Sequence, residues 1–88
     1  MKVGGDIVAD SALLGALVQQ VKAYVSSGGR VVIIHGGGPQ ATALTRRLGL
    51  QVNVVGGRRI TAPEVLDVMK MTLAGSVNVD ISAAFRAQ

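Results

Sequence analysis

Eighty-eight residues suffice for one small domain or part of a larger one, and are too few to bury a large core. Apolar residues make up 49% of the chain, but no uninterrupted apolar run reaches the ~20 residues that span a bilayer. The absence of cysteine excludes disulfides and thiolate metal sites, and a net charge of +4 with one tyrosine and one phenylalanine supplies few stacking platforms for nucleic acid.

The expectation is therefore a soluble cytoplasmic protein with neither nucleic-acid nor membrane partners. The start, Met1-Lys2-Val3-Gly4-Gly5-Asp6, lacks the charged-then-apolar order of a signal peptide. It reads as a short strand running into a glycine turn, with Lys2 near the strand end. An ammonium beside a close backbone approach suits phosphate oxygens; a solvated terminal lysine accounts for the same residues.

Asp10 or Ser11 is placed to cap a helix by accepting a backbone N–H. Leu14, Leu17, Val18, Val21 and Val25 then recur at spacings of three and four, an apolar face. Ser26-Ser27-Gly28-Gly29 ends this helix, with a glycine free to take the left-handed cap. Val31-Val32-Ile33-Ile34 is unbroken aliphatic, which predicts a strand buried on both faces of a parallel sheet.

His35-Gly36-Gly37-Gly38-Pro39-Gln40 organises the chain. It lies between that strand and a helical pattern from Ala41 to Leu48. Glycines there permit φ > 0 and close backbone approach, and N–H groups at a strand-to-helix turn favour an anion. A tight turn without a ligand serves the same pattern, and the glycine run alone does not separate the two. His35 is expected to fix the loop by a local hydrogen bond, and Pro39 to start the helix. Ala41, Leu44 and Leu48 form its apolar stripe, Arg46 and Arg47 face solvent, and Gly49 stops it.

Gln51 to Val55 reads as a strand, Gly56-Gly57 as a turn, and Arg58-Arg59-Ile60 as a second extended piece. Thr61-Ala62-Pro63-Glu64 has the form of a capping box with proline in the first turn. A long helix follows, carrying Val65, Leu66, Val68, Met69, Leu73 and Val77, with Met71 as core filler and a helical pattern onward to Phe85. The product is a small parallel α/β unit whose apolar faces and edges need partners, and the sequence reads as interrupted at both ends.

Four motifs in this order resemble the acetylglutamate kinases of the amino-acid kinase family: Lys2-x-Gly4-Gly5, His35-Gly36-Gly37-Gly38-Pro39-Gln40, Gly57-x-Arg59-Ile60-Thr61 and Leu73-Ala74-Gly75-x-Val77-Asn78. The resemblance implies an α/β/α sandwich on a mainly parallel sheet, carbamate kinase-like, with residues 1–88 as the N-terminal, amino-acid-substrate-binding part of a single domain. The nucleotide-binding part would lie outside this sequence. The implied reaction transfers the γ-phosphoryl of ATP, with Mg2+, to the side-chain carboxylate of N-acetyl-L-glutamate in arginine biosynthesis. A homo-oligomer and no prosthetic group are expected, with no metal ligand in this chain.

By resemblance Lys2 is catalytic and stabilises the transferring phosphoryl group, Gly5 and Gly37 approach that group, and Gly37 and Gly38 contact substrate. Arg59 would grip the substrate α-carboxylate with two parallel hydrogen bonds. Arg58 stands where the family commonly has leucine and Ser76 where it often has lysine. The later catalytic aspartate, second phosphate-binding lysine, substrate-binding asparagine and adenine site belong to sequence beyond this stretch, and Asn78 is not given the asparagine's role. Two alternatives stand beside this reading: a kinase acting on N-acetylaminoadipate, and a kinase-like regulatory domain of an acetylglutamate synthase that binds arginine.

Overall fold

A computed structural model describes residues 1–87. Strand β1 (Lys2–Val3) is followed by helices α1 (Gly5–Ala9) and α2 (Ser11–Ser26), then strand β2 (Ile34–His35) and helix α3 (Gly38–Arg47). A hairpin of β3 (Asn53–Val55) and β4 (Arg58–Ile60) leads to α4 (Pro63–Lys70), a π-helical segment (Met71–Val77) and α5 (Asn78–Ala87). β1 and β2 pair in parallel, Lys2 opposite Ile34 and Val3 opposite His35. The class is α/β, with helices on a short parallel sheet.

Local chemistry explains most boundaries. Asp10 caps α2, its carboxylate accepting from the N–H groups of Ala12 at 3.0 Å and Leu13 at 3.2 Å. At the other end Gly28 has φ +97°; its N–H donates to Val25 O and that of Gly29 to Tyr24 O, both at 3.0 Å. This pair of bonds satisfies the last carbonyls of α2. The same arrangement closes α3, where Gly49 (φ +76°) donates to Arg46 O and Leu50 to Thr45 O. Gly56 and Gly57, at φ +57° and +77°, make a turn whose twist matches an antiparallel hairpin.

The core gathers Val3, Val8, Leu14, Val18, Val77 and Ile81 from β1, both early helices, the π-helical segment and α5. Val18 and Val77 are essentially sealed. Thr45 and Thr72 are also buried, and each hydroxyl donates to the carbonyl four residues earlier, Ala41 O and Val68 O, at 2.7 Å. That bond lets a hydroxyl enter an apolar interface without the cost of an unsatisfied donor.

Several expectations are corrected here. The glycines after β1 do not form a simple turn: Gly4 is the N-cap of α1 and Gly5 its first residue. The aliphatic run is not buried on both faces. Only Ile34 and His35 pair as strand, and Val32 is 76% and Ile34 63% exposed. Period-two alternation puts Val32 and Ile34 on one face, and among the described residues the core helices pack on the other, where Val3 points. Val25, Leu48, Leu66 and Met71, expected on packed faces, are exposed. The strand expected from Gln51 pairs only from Asn53. The capping box at Thr61 does not form; Ala62 is the N-cap, with no side-chain bond, and Pro63 begins α4.

The π-helical segment interrupts what the sequence pattern reads as one continuous helix. Its wider turn carries Leu73 and Val77 toward Gly37: a Cβ at Gly37 would stand 2.5 Å from Leu73 Cδ2 and 3.3 Å from Val77 Cγ2. Such insertions cluster at functional sites.

Candidate functional site

Both glycine turns leave the C-terminal ends of the parallel strands, β1 into Gly4–Gly5 and β2 into Gly36–Gly38. In open parallel sheets this is where ligands bind, because strand ends and helix starts expose backbone groups there together. The turns are fastened to each other. The Gly36 N–H donates to Val3 O at 2.8 Å, continuing the ladder, and Gln40 Nε2 donates to Gly5 O at 2.7 Å across the gap between them.

The glycines act by close approach rather than by a left-handed backbone, contrary to the expectation for the His35–Gln40 motif. Gly37 has φ 175°, an extended value, and neither Gly36 nor Gly38 has positive φ. A Cβ on Gly5 would meet Gln40 Oε1 at 2.6 Å and Gly37 Cα and Pro39 Cδ at 3.0 Å. Gly5 is buried between the turns, and Gly37 lies against Leu73. Gly38 is different: it is exposed, and nothing lies within 4 Å of the position its Cβ would take. The open space at the start of α3 is therefore at Gly38.

Arg59, from β4, reaches that opening. Its Nη2 donates to Gly38 O at 3.2 Å and to Thr42 Oγ1, on the next turn of α3. Its Nη1 is buried without a hydrogen-bond partner, and so is Gln40 Oε1. A buried guanidinium nitrogen left unpaired is costly unless something fills it. Arg59 lies opposite Val54, one residue further from the Gly56-Gly57 turn than Arg58, and is half-buried while Arg58 is exposed.

Lys2 is exposed and, by its register with Ile34, lies on the sheet face away from the core helices. It lines a cavity of about 360 Å³ with Met1, Val3, Gly4, Ile7 and the α2 residues Leu13 and Leu17. Neither Arg59 nor the Gly37 turn lines that cavity. The structure thus brings Gly5, Gly37, Gly38 and Arg59 together, while Lys2 stands on the strand that feeds Gly4–Gly5.

His35 makes the local bond expected of it and one more. Its Nδ1 lies 3.0 Å from Gly36 O and its Nε2 3.3 Å from Asn78 Nδ2. The consistent assignment has Nδ1–H donating to Gly36 O and Nε2 accepting from Asn78. The first residue of α5 is so tied to the glycine turn. The sequence carries no signal for Gln40, Thr42 and Asn78 as partners here beyond the polarity of their side chains. Their contacts join residues 35, 17 and 43 positions apart.

Among the described residues no group of three or more histidine, cysteine, aspartate or glutamate side chains is placed to hold a metal ion. Among the described residues no helix is long and apolar enough to cross a membrane.

Comparison with known proteins bears on the same segments. The model of the amino acid kinase family matches residues 1–88. The chain belongs to that family. Among curated relatives, the acetylglutamate kinase of Sorangium cellulosum (strain So ce56) is 46% identical over 87 residues, covering 99% of this chain and 30% of the relative. That of Anaeromyxobacter dehalogenans (strain 2CP-C) is 47% identical over 87 residues, again 99% of this chain and 32% of the relative. That of Frankia alni (strain DSM 45986 / CECT 9034 / ACN14a) is 46% identical over 81 residues, covering 92% of this chain and 24% of the relative. This amino acid kinase chain thus spans about a third or less of the curated relatives it matches.

Proposed function

We propose that this chain is the amino-acid-substrate-binding part of an acetylglutamate kinase, an α/β/α sandwich whose nucleotide-binding part is carried by further sequence. The reaction is transfer of the γ-phosphoryl of ATP to the side-chain carboxylate of N-acetyl-L-glutamate. A carboxylate oxygen forms a new O–P bond, the bond between the β,γ-bridging oxygen and the γ-phosphorus breaks, and ADP leaves with that electron pair. The observation that carries the reading is the meeting of Arg59 with the Gly37–Gly38 turn, with Nη1 buried and unpartnered beside an open backbone. A carboxylate is the partner a guanidinium nitrogen takes most strongly, and one carboxylate held there would leave the other end of an extended diacid toward the two turns.

In this reading Arg59 binds the α-carboxylate, Gly37 and Gly38 line the substrate, and Gly5 with Gly37 lets backbone approach the phosphoryl group. Lys2 supplies a cation for charge developing on the phosphoryl oxygens. That role needs its flexible side chain to swing past the strand end. Magnesium would arrive with ATP. Cytoplasmic location and assembly into a homo-oligomer belong to the same proposal.

The test is hydroxylamine trapping of acyl phosphate from ATP and N-acetylglutamate. A protein carrying the complete family domain should form it, and residues 1–88 alone should not. Arg59→Ala in the complete protein should raise KM for N-acetylglutamate by an amount equivalent to roughly 2–5 kcal/mol, as loss of one partner of a buried charge pair does. An unchanged KM would remove Arg59 from the site. Turnover on N-acetylaminoadipate in preference to N-acetylglutamate, or calorimetric binding of arginine without any turnover, would favour the alternative readings.

A further inference from the structure

We infer that Thr42 is a positioning residue for Arg59, fixing the orientation in which the guanidinium meets its ligand. The inference rests on the proposed function and deepens it. Arg59 sits on a short hairpin strand of only three residues, and Ile60 beside it and Val55 on the partner strand are exposed. The arginine side chain has many rotamers to lose on binding. What restrains it is polar. Thr42 Oγ1 and Gly38 O both accept from Nη2, and they come from successive turns of one helix face, four residues apart.

The two acceptors differ. The Gly38 carbonyl bond is 3.2 Å long and exposed, and this carbonyl already belongs to the first turn of α3. The Thr42 bond is the shorter one and is partly buried. Either two-pronged edge of a guanidinium, Nη1 with Nη2 or Nε with Nη2, includes Nη2. A carboxylate that takes Nη1 and one Nη2 hydrogen therefore displaces one of these acceptors. The longer, solvent-facing bond to Gly38 O is the one to yield, which leaves Thr42 as the anchor that persists. Anchoring one hydrogen of Nη2 in advance removes part of the ordering cost of binding. Threonine suits this role because its β-branched side chain has few rotamers. Its hydroxyl, unlike those of Thr45 and Thr72, is turned to another element rather than to its own helix.

The experiment is steady-state kinetics on a protein carrying the complete family domain. Thr42→Val keeps the shape and removes the acceptor; Thr42→Ser keeps the acceptor. For Thr42→Val the expected result is a roughly tenfold rise in KM for N-acetylglutamate, the size of one hydrogen bond to a charged group. kcat and KM for ATP should change by less than about twofold, and Thr42→Ser should stay near wild type. In an Arg59→Ala background Thr42→Val should add nothing, because its effect runs through the arginine. If Thr42→Val does not fold, Thr42→Ala carries the same comparison. An unchanged KM in Thr42→Val, or a full tenfold effect persisting without Arg59, overturns the role of Thr42 while wild-type turnover still supports the reaction. Failure of the wild-type protein to form acyl phosphate defeats the functional reading itself, and this inference with it.

Discussion

Gly5→Ala is the substitution that most directly probes how the two turns are held. The new methyl would stand 2.6 Å from Gln40 Oε1 and 3.0 Å from both Gly37 Cα and Pro39 Cδ. The first neighbour is a side chain that can move, but moving it breaks the 2.7 Å bond from Gln40 Nε2 to Gly5 O, at a cost of about 1 kcal/mol. The other two are backbone and a ring, so the start of α1 and the turn into α3 must give way, and overpacking of this kind costs about 1–3 kcal/mol. Alanine is the better helix former by about 0.5–1 kcal/mol, which offsets part of this at the first residue of α1. The net expectation is destabilisation of about 2 kcal/mol. Gly4→Ala is the internal control. Its close neighbour is the tip of the exposed Asp6 side chain, which can swing into water, and Gly4 already has an ordinary extended backbone. It should change stability by less than about 0.5 kcal/mol. Urea denaturation of the complete protein measures both. kcat for Gly5→Ala should also fall by at least about tenfold, since a sub-ångström shift of positioning groups is felt in turnover. Equal stability and turnover in the two variants would refute the claim that Gly5 is required by the neighbouring turn.

Further outcomes follow from the helix ends. Asp10→Ala removes the acceptor for the Ala12 and Leu13 N–H groups and should cost about 1 kcal/mol in a denaturant midpoint, with Asp10→Ser recovering most of it. Gly28→Ala should cost about 1–2 kcal/mol although nothing lies within 4 Å of the added methyl, because φ there is +97°; a neutral effect would mean that the backbone relaxes to negative φ.

Much of the candidate site was legible because its parts are local in sequence. The strand-turn-helix reading of Ile34 to Arg47 needs only an aliphatic run, glycines and proline. The hairpin that carries Arg59 follows from Gly56-Gly57, whose positive φ values suit a tight antiparallel turn. Asp10, Gly28 and Gly49 likewise act within one turn of where they stand. Family membership rests on such motifs in order.

What only the folded chain decided is which distant groups meet. Whether a glycine is needed for φ or for space depends on its neighbour: Gly37 is extended and lies against Leu73, which a π-helical turn brings across. Likewise the aliphatic strand could declare its hydrophobicity but not its surroundings. Val32 and Ile34 are exposed because, among the described residues, no element packs on their face of the sheet. Gln40 finding Gly5, Asn78 finding His35 and Arg59 finding Thr42 are long-range hydrogen bonds between short-ranged groups. Such bonds exist only once packing has set their separation, so residue order specifies the donors and acceptors and tertiary structure alone pairs them.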